Sequence, residues 1–158
     1  MEKIASFTID HIKLQPGVYV SRKDRIGAET VTTFDLRMTS PNEEPVMNTA
    51  EMHAIEHLGA TYLRNDPEFG EKIVYFGPMG CRTGFYFITR DCVSKARAIE
   101  LVQETCEFIK TFEGEIPGST RIECGNYREH SLPKAKAYAQ NLADVLTGWT
   151  EEKMVYEQ

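Results

Sequence analysis

The sequence predicts an α+β fold, with an antiparallel sheet and helices packed on one of its faces. Three observations lead there. Strand-like runs gather in the first 90 residues, helical periodicity is interspersed among them, and no βαβ rhythm links them. The chain has 158 residues, 41% of them apolar and 27% charged, which suits one domain spanning 1–158 around a single hydrophobic core. No internal repeat, low-complexity tract or linker divides it.

The elements follow in order. "GVYVSRKD" (17–24) and "ETVTTFDLRMT" (29–39) read as strands. In the second, Thr32, Phe34, Leu36 and Met38 share one face, while Asp35 and Arg37 share the other. Asn48 caps a first helix that runs to about Arg64, with Glu51 completing a capping box. "DPEFG" (66–70) ends it. "KIVYFG" (72–77) and "GFYFITR" (84–90) are aromatic and β-branched strands, joined by a turn that holds Cys81. A second helix spans about 93 to 112, with Ala98, Leu101, Val102, Thr105, Ile109 and Phe112 as its inner stripe. A third starts after Ser131, tolerates Pro133 in its first turn, and runs to about Gly148. Ala135, Tyr138, Leu142, Val145, Leu146 and Trp149 are its expected buried face. Between the last two helices lies the loop "EIPGSTRIECGNYREHS", carrying Cys124 and His130.

Composition narrows the function. A formal net charge of −6 argues against nucleic acid or an anionic membrane as the main partner, and says nothing against a small polar substrate. No apolar run approaches the ~20 residues that span a bilayer. The N-terminal "MEKIASFTIDH" lacks an apolar signal core, so a cytoplasmic protein with reduced thiols is expected. A disulfide framework is the alternative for four cysteines. Cys106 reads as a small core hydrophobe within its helix, and Cys92, at that helix's start, as structural.

The chemistry concentrates in "HAIEH" (53–57). His53 and His57 are one helical turn apart, so both imidazoles emerge on one face and can share a metal. Glu56 lies near that face as a neighbour rather than a necessary ligand. The order His-x-x-Glu-His is that of the inverzincins, in which the glutamate is a general base. The bland alternative is a helix whose histidines are incidental, since so short a motif often matches by chance. A third ligand changes the balance. A thiolate suits zinc or ferrous iron, and a His2Cys set leaves a fourth position open. Cys124, in a loop and followed by Gly125, is the best candidate. His130 is a rival ligand, although it abuts the Ser131 cap and can equally serve only that loop. Cys81 stands apart, on a glycine-bracketed turn beside Arg82, where exposure and positive charge favour thiolate. An ordinary free cysteine is the alternative there.

Taken together, "SFTIDHIKLQPGVY" (6–19), "FDLRMTSPN" (34–42), "HAIEHLGATYLR" (53–64), "PMGCRTGFY" (78–86) and "ECGNYREHSLPKAKAYA" (123–139) resemble the LuxS family of S-ribosylhomocysteine lyases across almost the whole chain. The resemblance implies a LuxS-like metalloenzyme fold. It implies one divalent metal per subunit on His53, His57 and Cys124, natively ferrous iron, with zinc or cobalt as substitutes. Cys81 and Glu56 would move protons, and Ser6, His11 and Arg37 would line the substrate pocket. A Cys81 thiolate near Arg37 would be stabilised by its charge. The family is homodimeric with its pockets at the subunit interface, and splits S-ribosylhomocysteine into homocysteine and 4,5-dihydroxy-2,3-pentanedione, the autoinducer-2 precursor of quorum sensing. In one departure this chain has Tyr75, Phe76 and Gly77 where many members carry an aspartate-containing segment. Two rival readings share the histidine motif: an inverzincin-type metallopeptidase, and a non-catalytic metal-binding module.

Overall fold

A computed structural model describes residues 1–157. Strands β1 (Gly17–Ile26), β2 (Glu29–Arg37), β3 (Ile73–Pro78) and β4 (Gly84–Arg90) form one antiparallel sheet in the order β1-β2-β4-β3. Helices α1 (Thr49–Arg64), α2 (Lys95–Thr111) and α3 (Leu132–Val145) follow. Asn48 and Glu51 form the capping box expected for α1, while α2 is capped by Ser94, which accepts the Arg97 amide, a cap that sequence reasoning missed.

The pleat sorts the sheet into two faces. Val18, Leu36 and Phe85 stand in one row, and Phe34, Phe87 and Phe76 in the next. These side chains are buried against Ala54, Ile55 and Leu58 of α1, Leu101 and Val102 of α2, and Ala139 and Leu142 of α3. Phe34, Phe85 and Phe87 are fully buried, and each contributes about 1.5–3 kcal/mol by leaving water. Gly59 lets α1 approach the sheet, because a Cβ there would lie 2.5 Å from the Phe76 ring.

The second face carries Tyr19, Asp35 and Tyr86 in one row and Arg37 in the next. At this end it too is closed. The Trp149 indole N–H donates to the Val18 carbonyl at 3.1 Å, and Tyr156 stacks on Tyr19 with ring centroids 5.1 Å apart.

Three expectations are corrected. Helix α3 stops at Val145 rather than Gly148; Val145 is exposed, and Trp149 lies beyond the helical register, where it packs on β1 instead. Phe112 caps α2 and is only half-buried. Cys92 precedes the Ser94 cap and is exposed, so it has no packing role. All four cysteines are free. Cys106 is buried, and burial pushes its thiol up to about 12, which makes it inert. Among the described residues no helix is long and apolar enough to cross a membrane.

Candidate metal centre and active site

Ala54, Ile55 and Leu58 turn α1 towards the core, which leaves His53, Glu56 and His57 half-buried along its flank. The long loop between α2 and α3 folds over that flank. It is latched where the Ser131 amide donates to the Ala50 carbonyl at 3.0 Å. The Glu129 carboxylate accepts from Thr49 and from Asn126, and these bonds hold it below the usual carboxylate range.

This wrapping fixes both imidazoles. His53 Nδ1 lies 2.9 Å from the Glu129 carbonyl oxygen and His57 Nδ1 2.8 Å from that of Pro117. A carbonyl only accepts, so each Nδ1 carries the proton. In a neutral ring the Nε2 lone pair is then free to ligate. The two rings stand at 90° to each other, with centroids 4.6 Å apart. Gly118, at φ +72°, lets the loop turn beside His57; a Cβ there would lie 3.1 Å from Nδ1.

Cys124 completes the set. Its Sγ is 3.4 Å from His53 Nε2 and 3.9 Å from His57 Nε2. Ligand bonds of about 2.3 Å to sulfur and 2.0–2.1 Å to nitrogen at a tetrahedral ion separate N and S by roughly 3.6 Å, so these donors fit one metal. The Asn126 amide donates to Sγ at 3.4 Å, as suits a charged thiolate. His130 lies beside them: one donor atom from each of His53, His57, Cys124 and His130 lies within 4.8 Å of the others. Both His130 ring nitrogens are buried and without partners. Burial first, then the neighbouring His53 and His57, push its pKa down to about 4.

Cys81 belongs to a second cluster. It is exposed on the β3–β4 turn, where Arg82 adopts φ 61°. Its Sγ lies 3.2 Å from Thr83 Oγ1 and 3.9 Å from an Arg37 terminal nitrogen. Burial of the sulfur raises the thiol pKa, but hydrogen bonds from Thr83 and the Arg37 charge outweigh it, and the net shift is downward. The helpful charge is therefore Arg37 across the sheet rather than the adjacent Arg82. Arg37 is itself pinned, donating to both Asp35 carboxylate oxygens at 3.1 and 2.6 Å and to Thr83 at 2.7 Å. The Tyr156 hydroxyl donates a third bond to Asp35 at 2.8 Å.

The expected residues thus fall into groups. His53, His57 and Cys124 converge, with Glu56 on the same helix flank. Arg37 and Cys81 meet. Ser6 lies half-buried in a short 3-10 turn, and His11 is half-buried with Nδ1 2.9 Å from the Ile9 carbonyl. Among the described residues no hydrogen bond or ring contact joins Ser6 or His11 to either cluster. Sequence reasoning missed the Asp35–Tyr156 support of Arg37. The shared strand face of Asp35 and Arg37 was the available signal for their pairing; nothing local marked Tyr156.

A sequence model of the S-ribosylhomocysteinase (LuxS) family matches residues 4–153. The chain belongs to the LuxS family. Its relatives include proteins that carry the name S-ribosylhomocysteine lyase. That of Clostridium acetobutylicum is 54% identical over 158 residues, covering 100% of both chains. That of Clostridium beijerinckii is 55% identical over 157 residues, 99% of each. That of Porphyromonas gingivalis W83 is 56% identical over 158 residues, 99% of each. The LuxS match spans both side-chain clusters apart from Tyr156.

Proposed function

We propose that this chain is a single catalytic domain that cleaves S-ribosylhomocysteine to homocysteine and 4,5-dihydroxy-2,3-pentanedione. The convergence of His53, His57 and Cys124, with both histidine tautomers locked by carbonyls, carries the reading. It favours catalysis over a closed structural site, because three protein donors leave a position for substrate. Peptide cleavage has no use for the polarised Cys81 thiol.

A divalent metal on these donors, ferrous iron in the cell and zinc or cobalt as replacements, supplies Lewis acidity towards a sugar carbonyl. The chain's own groups handle the protons. The carbon–sulfur bond at C5 is two bonds from a carbonyl only after the carbonyl has moved from C1 through C2 to C3. Each shift takes a proton from the carbon next to the carbonyl and returns one to the neighbouring carbon. Elimination then removes the C4 proton and expels the C5 thiolate, which gains a proton to become homocysteine. Glu56 and Cys81 divide this work, because one fixed base cannot reach successive carbons equally well. Arg37 keeps Cys81 ionised and, with Ser6 and His11, contacts the substrate. The partner is the small-molecule substrate, with a second copy of the chain completing each pocket. The product is a signal precursor and the homocysteine returns to methyl metabolism, a cytoplasmic setting.

Anaerobic thiol release from S-ribosylhomocysteine tests the reading. Wild-type protein should release homocysteine and leave unstructured peptides uncut. Glu56→Gln and Cys81→Ala should each keep their metal and lose roughly 10²–10⁴-fold in turnover. Wild-type rates in both variants would overturn the two-base mechanism, and peptide cleavage without thiol release would overturn the lyase.

A further inference from the structure

His130 does not behave like its three neighbours. The His53 and His57 rings cross at 90°, so their in-plane lone pairs can meet at one atom. His130 instead lies flat on His53, with centroids 4.0 Å apart and planes inclined by only 19°. Two planes so nearly parallel meet far outside the site. An ion held by the in-plane lone pair of His53 would therefore not be met by a lone pair of His130, because an imidazole offers none above its ring face. Closeness to the donor set makes His130 look like a ligand, but its orientation excludes it from sharing an ion with His53.

Its placement is nevertheless built. The residues on either side are both tied to the flank of α1: the Glu129 carbonyl accepts from His53, and the Ser131 amide donates to Ala50. The backbone at His130 has little freedom, and the ring is held over the donor cluster. Its two nitrogens are buried without partners, whereas His53 and His57 each have a carbonyl for Nδ1. A neutral imidazole offers one donor and one acceptor, and leaving both unmatched inside a protein is costly. The ring also lines a cavity of about 480 Å³ together with Ser119, Thr120, Arg121 and Tyr127. Among the described residues, His130 is the one member of that four-residue donor group in its lining.

We propose that His130 is a catalytic residue rather than a metal ligand, hydrogen-bonding a sugar oxygen of the substrate at the open side of the His53–His57–Cys124 cluster. This rests on the lyase reading. It gives the site a second group with which to hold the oxygen whose charge grows at each carbonyl shift.

Cobalt-substituted protein separates the possibilities, because its visible bands report the donor set whether or not turnover occurs. His130→Phe keeps the stack and removes both nitrogens; His130→Gln keeps a donor and an acceptor. Both variants should bind cobalt with wild-type bands. Thiol release from S-ribosylhomocysteine should fall by about 10²-fold in kcat/KM for His130→Phe, the scale of a lost oxyanion donor, and His130→Gln should retain a large part of the difference. Bands altered in both variants in the manner of Cys124→Ala would make His130 a ligand and overturn the proposal. Wild-type turnover in His130→Phe, or equal loss in both variants, would overturn its hydrogen-bonding role. Should His130→Phe fail to fold, the bands and rate of His130→Gln decide alone, with loss to the level of Cys124→Ala counting against the proposal. A wild-type protein that loads cobalt yet releases no thiol sinks the lyase reading itself and His130's substrate contact with it, while the bands still settle whether His130 is a ligand.

Discussion

A single proton position decides how His53 and His57 can act. Each Nδ1 hydrogen is committed to a loop carbonyl, so the opposite nitrogen faces Cys124 with a free lone pair. Cys81 is prepared in another way. Its sulfur pays for burial, yet Thr83 and Arg37 favour the charged form by more, so its thiolate persists to lower pH than that of an ordinary cysteine. The sign follows directly: as pH falls through this depressed pKa the thiolate, and with it the proposed base, is lost. Iodoacetamide alkylation against pH, corrected with Cys81→Ala, should give a midpoint below the free-thiol value of about 8.5. Thr83→Val should move that midpoint up. A midpoint at or above the free-thiol value would remove Cys81 as a resting base. The residue types and the spacing of 53 and 57 were legible in the sequence, because i,i+4 geometry is local. The carbonyl partners were not, since Glu129 and Pro117 are 76 and 60 residues away.

At the scale of elements, the helices and strands were readable to within a few residues because caps and hydrophobic period are local signals. The end of α3 was misread because apolar periodicity continues through Leu146 and Trp149 after the helical hydrogen bonds have stopped. The loop between α2 and α3 carries no period, so its fold over α1 was invisible beyond the presence of Cys124 and His130. That loop is a structural part of the candidate metal centre. Gly118 makes the argument testable: it sits at φ +72°, where a Cβ would lie 3.1 Å from His57 Nδ1. Gly118→Val would strain the turn and push the Pro117 carbonyl from His57 Nδ1. Chelator competition should show metal affinity weakened by about 10–100-fold, the cost of losing an outer partner of a ligand, while far-ultraviolet circular dichroism stays unchanged. Wild-type affinity would mean that the carbonyl contact does not orient the ring.

Across the whole molecule, the fold places chemistry in two clusters and leaves Ser6 and His11 on an N-terminal segment, where among the described residues no hydrogen bond or ring contact joins either of them to a cluster. That same segment exposes large apolar side chains: Ile4 at 58%, Phe7 at 68% and Ile12 at 76% relative accessibility. Apolar surface gathered beside residues of a proposed pocket is what an interface between copies would cover. The expected outcome is a homodimer, with light scattering at micromolar concentration giving about twice 18.0 kDa. Size alone does not show that a pocket is shared, so complementation carries the argument further. Cys124→Ala and Cys81→Ala should each be inactive as pure dimers. If each pocket takes its metal ligands from one chain and its Cys81 from the other, a hybrid formed by refolding the two variants together has one pocket bearing both lesions and one bearing neither. Hybrid dimers would then recover about half of the wild-type activity, and a statistical mixture about a quarter. If each pocket instead draws both clusters from a single chain, every pocket in the hybrid carries one lesion and the mixture stays inactive. A stable, fully active monomer would remove the shared pocket altogether.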